Sequence, residues 1–186
     1  MKKLVLASKS PRRKQLLSEH GFEFIVEESS FDEISQSKNP VDLAVFNASG
    51  KAKEVFARLK DESVVALGCD TIVCVDGVVL GKPKDKKNAK EMLKTLSNRA
   101  HKVISGWCLV GKDYIKSGFV ETQVVFRALS EKEIEDYIAT GSPMDKAGAY
   151  GIQDSVNVAS RIIGSYENVV GLPIKEIAGE IFKAIK

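Results

Sequence analysis

Residues 64–80 have the sequence VVALGCDTIVCVDGVVL, and this stretch decides the fold class. Its first four residues form a continuous apolar run, which is typical of a strand buried on both faces of a sheet. The pair Asp76-Gly77 lies between two apolar segments and predicts a β-hairpin, because both residues tolerate the positive φ angles of a tight turn. We therefore expect a buried strand that ends in a turn at residues 68–71, followed by a hairpin.

Short strands and helices alternate on both sides of this stretch. Ser10 and Pro11 suit the start of the first helix, and Ser130 begins a capping box that opens a later one. Apolar periodicity predicts strands over residues 4–7, 22–26, 102–110, 114–129 and 160–163, and helices over residues 11–21, 40–60, 85–97, 131–141 and 173–186. This mixture of hairpins and strand–helix units predicts an α/β fold, with a mixed, twisted sheet flanked by helices.

The composition is that of an ordinary globular protein. The chain has 186 residues, which fits a single domain over residues 1–186. Its net charge of only +3 does not indicate a nucleic-acid-binding protein. Three cysteines without C-x-x-C spacing argue against a disulfide framework and favour a reducing compartment. Because no apolar run is long enough for a signal peptide or a membrane span, we expect a cytoplasmic protein that binds neither nucleic acid nor membrane.

The turn between the first strand and the first helix has the composition of an anion site. Ser8 and Ser10 supply hydroxyl groups, and Arg12 and Arg13 supply guanidinium groups that can bind phosphate oxygens in pairs. Free N–H groups at a helix start add to such a site. The alternative is a solvated basic first turn, although the helix dipole disfavours cations at that end.

Two carboxylates are candidates for chemistry. Asp70 follows the buried apolar run, at the edge where open α/β sheets place their ligands, and it can bind Mg²⁺ or act as a general base. The alternative is an aspartate that hydrogen-bonds a turn. Glu33, in a polar loop over residues 29–39, is either a second carboxylate of the site or a solvated loop residue.

Two lysines are further candidates. Lys51 lies in ASGKA (residues 48–52), which resembles a P-loop only superficially, because Val45 and Ala52 replace the required Gly and Ser/Thr and the segment is helical. We therefore reject a P-loop. Lys82, on the constrained turn Gly81-Lys82-Pro83, can direct an ammonium group into a cleft. Either lysine can instead be an ordinary surface residue.

Several other functions are excluded by what the sequence lacks. It has no G-x-S-x-G motif, and its two histidines, His20 and His101, have no neighbouring nucleophilic serine or zinc-ligand pattern. Residues 144–153 form either a polar ligand-binding loop or an ordinary connection, and residues 164–173 have the composition of structural turns. Cations that can face phosphate, together with one or two carboxylates, indicate metal-assisted phosphoryl chemistry.

Five motifs together resemble the Maf family of nucleoside triphosphate pyrophosphatases, in the family's order and spacing. They are LASKSPRR at residues 6–13, GCDTIV at 68–73, GKP at 81–83, DKAGAYGIQ at 145–153 and GSYENVVGLP at 164–173. The resemblance covers essentially the whole chain. It implies hydrolysis of a nucleoside triphosphate to the monophosphate and pyrophosphate with Mg²⁺ or Mn²⁺. It also implies a deep cleft similar to that of inosine triphosphate pyrophosphatases, and a possible homodimer.

The resemblance also implies roles for individual residues. Asp70 matches the family's proton acceptor, and the other polar cleft positions correspond to Ser8, Arg13, Glu33, Lys51 and Lys82. The positions that set base specificity in the branch acting on dTTP and UTP correspond to Arg12, Thr71 and Gln153. We therefore expect Asp70, Glu33 and Lys82 to be catalytic, with Asp70 and Glu33 as metal ligands. We expect Arg13, Lys51 and Lys82 to hold the phosphates, and the residues expected to bind the substrate are Ser8, Arg12, Arg13, Lys51, Thr71 and Gln153. The segment FNA at residues 46–48 departs from the family's common RLA, and Lys53 competes with Lys51 for its role.

Two alternatives stay open at this point. Asp70 accepts a proton from the attacking water, or both carboxylates only hold the metal and the metal activates the water. The chain is a pyrophosphatase for dTTP and UTP, or it is a non-catalytic nucleotide-binding regulator of cell division, as the family's link to septum formation suggests. A DNA-binding role for the basic run at residues 10–14 is disfavoured by the small net charge.

Overall fold

The structure is a computed structural model that describes residues 1–35, 37 and 39–186. Every strand and helix that the sequence predicts is present, with ends that differ by a few residues. Three short helical segments were not predicted: an α-helix over Tyr166–Val170 and two 3₁₀ helices over Ser142–Asp145 and Ala147–Ala149. The elements are β1 (Lys3–Leu6), α1 (Pro11–Glu19), β2 (Phe24–Val26), α2 (Pro40–Leu59), β3 (Val64–Val75), β4 (Val78–Leu80), α3 (Lys86–Leu96), β5 (Ala100–Gly111), β6 (Tyr114–Phe126), α4 (Glu131–Ala139), β7 (Ala159–Ile163), α5 (Tyr166–Val170) and α6 (Ile174–Ile185).

The strands form one mixed sheet in the order β2-β1-β3-β5-β6-β7, with β4 paired to β3 outside this path. β1 runs parallel to β2 and β3, and the other pairs are antiparallel. α2 covers one face, and α1, α3, α4 and α6 contribute to the apolar clusters on the other. The predicted mixed sheet flanked by helices is thus confirmed. Within the described residues, no helix is both long enough and apolar enough to cross a membrane.

The prediction that the central strand ends in a turn at residues 68–71 was wrong. β3 continues through this segment as a strand of 12 residues, because β5 pairs with it without interruption from Ala66 to Cys74. A continuous ladder outweighs the weak strand preference of glycine and aspartate. Asp70 therefore lies in the middle of a strand, opposite Gly106, and it does not cap a turn.

The second edge of β3 is only partly covered, and this places the candidate site. β1 pairs with Val64–Leu67 and β4 pairs with Val73–Val75 on that edge. Within the described chain, residues 68–72 have no strand partner there. The sheet therefore has a gap between the end of β1 and the end of β4, and Asp70 lies at its centre.

Two glycines allow α2 to lie directly on the sheet. A Cβ atom on Gly68 would lie 2.0 Å from the carbonyl oxygen of Ala48, and a Cβ on Gly106 would lie 2.3 Å from the carbonyl group of Ala44. Any larger residue at either position would therefore push the helix away from the strands. This close contact sets the height of the α2 side chains above Asp70.

We expect Gly106→Ala to lower the free energy of unfolding by about 3 kcal/mol, because its methyl group would collide with the backbone of Ala44 rather than with a movable side chain. Gly179→Ala in α6 is the matched control. No atom lies within 4 Å of its added Cβ, so the better helix propensity of alanine should stabilise the protein by up to about 1 kcal/mol. Urea unfolding followed by the fluorescence of Trp107, the single tryptophan, measures both changes. Equal changes in the free energy of unfolding for Gly106→Ala and Gly179→Ala would disprove the close contact between α2 and the sheet.

Candidate active site

A buried lysine joins two carboxylates on the α2 side of the sheet. Lys51 Nζ lies 2.9 Å from Asp70 Oδ1 and 2.8 Å from Glu33 Oε1, and it donates to the carbonyl oxygen of Cys69 at 3.4 Å. Lys51 and Asp70 are 8% and 7% exposed. Glu33 is about half exposed, so one carboxylate of the pair is held inside the protein and the other faces solvent.

Asn47 extends this cluster, and the sequence did not identify it as a site residue. Its Nδ2 donates to Asp70 Oδ2 at 3.1 Å and to the carbonyl oxygen of Ile34 at 3.0 Å, and its Oδ1 accepts from the Ile34 N–H at 3.1 Å. Asn47 and Lys51 are four residues apart on α2 and therefore share one helix face. One feature of the sequence could have identified it: Asn47 is a polar residue at a position that helical spacing predicts to lie on the buried face of α2.

The loop that carries Glu33 is packed onto α2. A Cβ atom on Gly50 would lie only 2.3 Å from the ring of Phe31. The ring therefore fits against α2 only because residue 50 has no side chain. Further back, the Ser29 hydroxyl and the Ser30 N–H donate to Glu54 at 2.8 and 3.0 Å. α2 thus positions Glu33 as well as Lys51.

A second cluster lies on the opposite face of β3, because Thr71 follows Asp70 and consecutive strand residues alternate between faces. Arg13 donates from Nε to the Gly171 carbonyl oxygen at 2.9 Å, from Nη1 to Ser8 Oγ at 3.0 Å and from Nη2 to Thr71 Oγ1 at 3.4 Å. Thr71 donates to the same Gly171 carbonyl at 3.2 Å and lies 2.7 Å from the hydroxyl of Ser105. Residues 164–173, which composition alone marked as structural turns, therefore fix Arg13.

The start of α1 has the features that the anion-site prediction requires. Ser10 is the N-cap residue and Pro11 is the first helical residue. The Ser10 side chain makes no capping hydrogen bond, which leaves N–H groups of the first turn available to an anion. The Ser10 N–H itself donates to Ser8 Oγ at 3.3 Å, so Ser8 and Arg13 lie beside this helix start.

The remaining predicted site residues, Lys82, Arg12 and Gln153, lie outside the two clusters among the described contacts. β4 runs antiparallel to β3 and ends with Leu80 opposite Val73, and the exposed Lys82 follows two residues later on the turn after β4. The carbonyl oxygen of Gly81 accepts from the Gly148 N–H at 3.1 Å, which ties this turn to the 145–153 loop.

The 145–153 loop carries Gln153, one of the three residues predicted to select the base, and contacts Arg12, another of them. Arg12 Nη1 lies 3.6 Å from Asp145 Oδ2, which joins the loop to the start of α1. Gln153 is exposed on a turn of the same loop. The Gly151 N–H donates to the Tyr137 hydroxyl at 2.9 Å, and that hydroxyl donates to Asp154. Burial and the neighbouring Asp154 raise the pKa of Tyr137, so its hydroxyl stays protonated and holds the loop on α4.

His101 has no part in either cluster. It is buried, its Nε2 lies 2.7 Å from the hydroxyl of Tyr150, and burial lowers its pKa to about 4. It lies on β5 five residues before Gly106, the residue opposite Asp70. His101 is therefore a neutral core residue at neutral pH, in agreement with the absence of a hydrolase triad from the sequence.

The carboxylate pair suits a hard divalent cation. Oxygen donors are the ligands that Mg²⁺ prefers, and Mg²⁺ commonly binds one or two carboxylates and takes its other ligands from phosphate groups and water. Over the ranges that the structure describes, no group of three or more His, Cys, Asp and Glu side chains comes together to hold a metal. The oxygens of Asp70 and Glu33 match the ligand chemistry of such a cation.

The family model and the curated relatives agree with one another. A family model described as "Maf-like protein" matches residues 3–184. The dTTP/UTP pyrophosphatase of Thermoanaerobacter sp. (strain X514) is 46% identical over 94% of this chain and 93% of its own length. The dTTP/UTP pyrophosphatase of Pyrococcus furiosus is 44% identical over 94% of this chain and 91% of its own length. A solved nucleoside-triphosphatase / dITP/XTP pyrophosphatase from Mycobacterium abscessus is 14% identical, covers 97% of this chain and 95% of its own, and superposes with a TM-score of 0.46.

The buried ion pair between Lys51 and Asp70 should contribute to the stability of the fold. Lys51→Met should lower the free energy of unfolding by about 3 kcal/mol, because it leaves the buried Asp70 carboxylate without its cation. Lys53→Met, two residues away and exposed, is the matched control and should change stability by no more than about 0.5 kcal/mol. Urea denaturation at neutral pH measures both values. If Lys53→Met costs as much as Lys51→Met, the arrangement described above is wrong.

Proposed function

The chain belongs to the Maf family, and on that premise we propose that it hydrolyses dTTP and UTP to the nucleoside monophosphate and pyrophosphate. One structural observation carries the proposal: the gap in the sheet has the Asp70–Lys51–Glu33 cluster on one face and the Arg13 cluster on the other. Carboxylates that can hold a metal and cations that can bind phosphate are the groups that cleavage of a triphosphate uses. The relatives that bear this activity in their names match this chain over 94% of its length.

Asp70 and Glu33 would hold the divalent cation, Mg²⁺ or Mn²⁺. When bound, the cation offsets the charge of the triphosphate oxygens. Arg13, the first-turn N–H groups of α1 and Lys82 bind the phosphates. Lys51 keeps the two carboxylates together and offsets part of their charge.

The chemical step is attack of water on the α-phosphorus. Asp70 accepts a proton from this water, the bond from the α-phosphorus to the bridging oxygen breaks, and pyrophosphate leaves. Asp70 suits this role because its carboxylate is fixed by hydrogen bonds to Lys51 and Asn47. A base held in position contributes typically ~10²-fold or more to the rate.

The residues that select the base of the nucleotide are Arg12, Thr71 and Gln153. Uracil and thymine present two carbonyl acceptors on either side of an N–H donor, so a matching site needs both donors and acceptors. Arg12 offers donors, Thr71 a hydroxyl that does either, and Gln153 an amide that does both. Cytosine exchanges two of these groups and would leave partners unpaired.

We propose that the protein works in the cytoplasm as a single-domain enzyme. Cys69, Cys74 and Cys108 are all free and buried, as expected in a reducing compartment. Assembly into a homodimer remains a prediction from the family resemblance, and size-exclusion chromatography with light scattering tests it.

Asp70→Asn should fold normally, because the amide is nearly the same size as the carboxylate, and kcat should fall at least ~10²-fold. Asp76→Asn is the control, since this exposed hairpin residue has a positive φ that asparagine tolerates. Release of pyrophosphate from dTTP and UTP with Mg²⁺ or Mn²⁺ is the measurement. Normal turnover by Asp70→Asn would exclude Asp70 as the proton acceptor. Tight nucleotide binding by the wild type without turnover would favour the regulatory alternative.

Wild type should prefer dTTP and UTP over dCTP, CTP and GTP, by roughly ten- to a hundredfold for each mismatched polar group. Gln153→Glu removes the amide donors and should reduce this preference more than it slows hydrolysis of the best substrate. The measurement is kcat/KM for the five nucleotides with each protein. An unchanged ranking in Gln153→Glu would remove Gln153 from base selection.

A further inference from the structure

We infer that Asn47 is a positioning residue that sets the spacing between Glu33 and Asp70 for binding of one divalent cation. The inference rests on the proposed function, because it assumes that these two carboxylates hold the metal. In the proposed mechanism Asn47 only helps to fix the Asp70 carboxylate, and the inference gives it a second role towards Glu33. Asn47 lies on α2, is 2% exposed and belongs to the same helix face as Lys51.

The first argument is the hydrogen-bonding capacity of the amide. Asn47 uses both of its N–H donors, one to Asp70 Oδ2 and one to the Ile34 carbonyl oxygen, and its oxygen accepts from the Ile34 N–H. Aspartate at this position would have no donor, and leucine would have neither donor nor acceptor. The residue therefore makes three specific contacts in a place where an ordinary core position needs none.

The second argument is the local support of Glu33. Within the part of the loop that the structure describes, residues 32–35 are joined to the rest of the fold by the Glu33–Lys51 ion pair and by the two hydrogen bonds between Ile34 and Asn47. The contacts of Ser29, Ser30 and Phe31 hold the loop only at earlier positions. Asn47 thus holds the backbone at the residue next to the exposed carboxylate.

The third argument is charge. Lys51 also contacts both carboxylates, but its ammonium group repels a divalent cation that approaches the same oxygens. Asn47 is neutral and hydrogen-bonds the backbone of Ile34 in the loop. It can therefore maintain the spacing between Glu33 and Asp70 while a cation binds. Partners of this kind, which orient metal ligands without touching the metal, typically contribute 10–100-fold to metal affinity.

The test is Mn²⁺ binding to the nucleotide-free protein, measured by electron paramagnetic resonance. Asn47→Leu, which keeps the approximate size of the side chain, should weaken Mn²⁺ binding about tenfold or more. The Ile34 N–H should also lose its protection against hydrogen exchange in Asn47→Leu. Val55→Ala, a buried change elsewhere on α2, should lower stability and leave Mn²⁺ affinity unchanged. Unchanged Mn²⁺ affinity in Asn47→Leu, or wild-type protein that binds no Mn²⁺ without nucleotide, would overturn the inference.

A double-mutant cycle separates positioning from a general loss of stability. If Asn47 acts largely through Glu33, Asn47→Leu should weaken Mn²⁺ binding much less in a Glu33→Gln background than in the wild type. Equal losses in both backgrounds would contradict the inference. Should Asn47→Leu fail to fold, Asn47→Ser, which is too short to reach both partners, takes its place with the same expectations.

The outcomes for the inference and for the proposed function are distinguishable. Wild-type protein that releases no pyrophosphate from any nucleoside triphosphate would refute the proposed function. Wild-type protein that hydrolyses dTTP while Asn47→Leu binds Mn²⁺ normally would refute only the role of Asn47.

Discussion

The close contact of α2 with the central strands is the constraint on which the rest of the site depends. Gly68 and Gly106 have no side chains, so the backbone of α2 rests on β3 and β5, and buried alanines complete the contact. At this distance Lys51 reaches Asp70 with its ammonium group and Asn47 reaches it with a short amide. A helix raised by one methyl group would leave Asp70 buried without these partners, and an unpaired buried charge is costly. Fold and candidate active site therefore depend on the same two glycines.

The gap in the sheet explains how one strand supplies two different groups of residues. Between the end of β1 and the start of the β4 pairing, β3 has one edge without a strand partner among the described residues. Neighbouring residues on that segment point to opposite faces, so Asp70 joins the carboxylate cluster and Thr71 supports Arg13. The Asp70 carboxylate and the Arg13 guanidinium therefore lie on opposite faces of β3 and do not pair with each other. Lys51 lies on the Asp70 side and holds the two carboxylates together.

The predictions that failed did so because of contacts between segments that are far apart along the chain. The glycine and aspartate after Leu67 predicted the end of a strand, but the unbroken β5 ladder carries β3 to Val75. Residues 164–173 had the composition of turns, but half of them form the short helix α5, and the carbonyl group of Gly171 after it accepts from Arg13, Thr71 and Cys69. Helical periodicity could not choose between Lys51 and Lys53. The structure buries Lys51 against Asp70 and exposes Lys53.

The sequence by itself determined the elements, the class of the fold and the family, because turn preferences, apolar periodicity and short motifs are local properties of the chain. It also identified Asp70, Glu33, Lys51 and Arg13 as groups suited to phosphoryl chemistry. Only the tertiary structure decided which of these groups meet, and it added Asn47. Glu33, Asn47 and Asp70 lie on a loop, a helix and a strand, and the distances among them depend on how α2 packs on the sheet. Local sequence patterns do not specify such distances, because they result from packing between segments that are far apart along the chain.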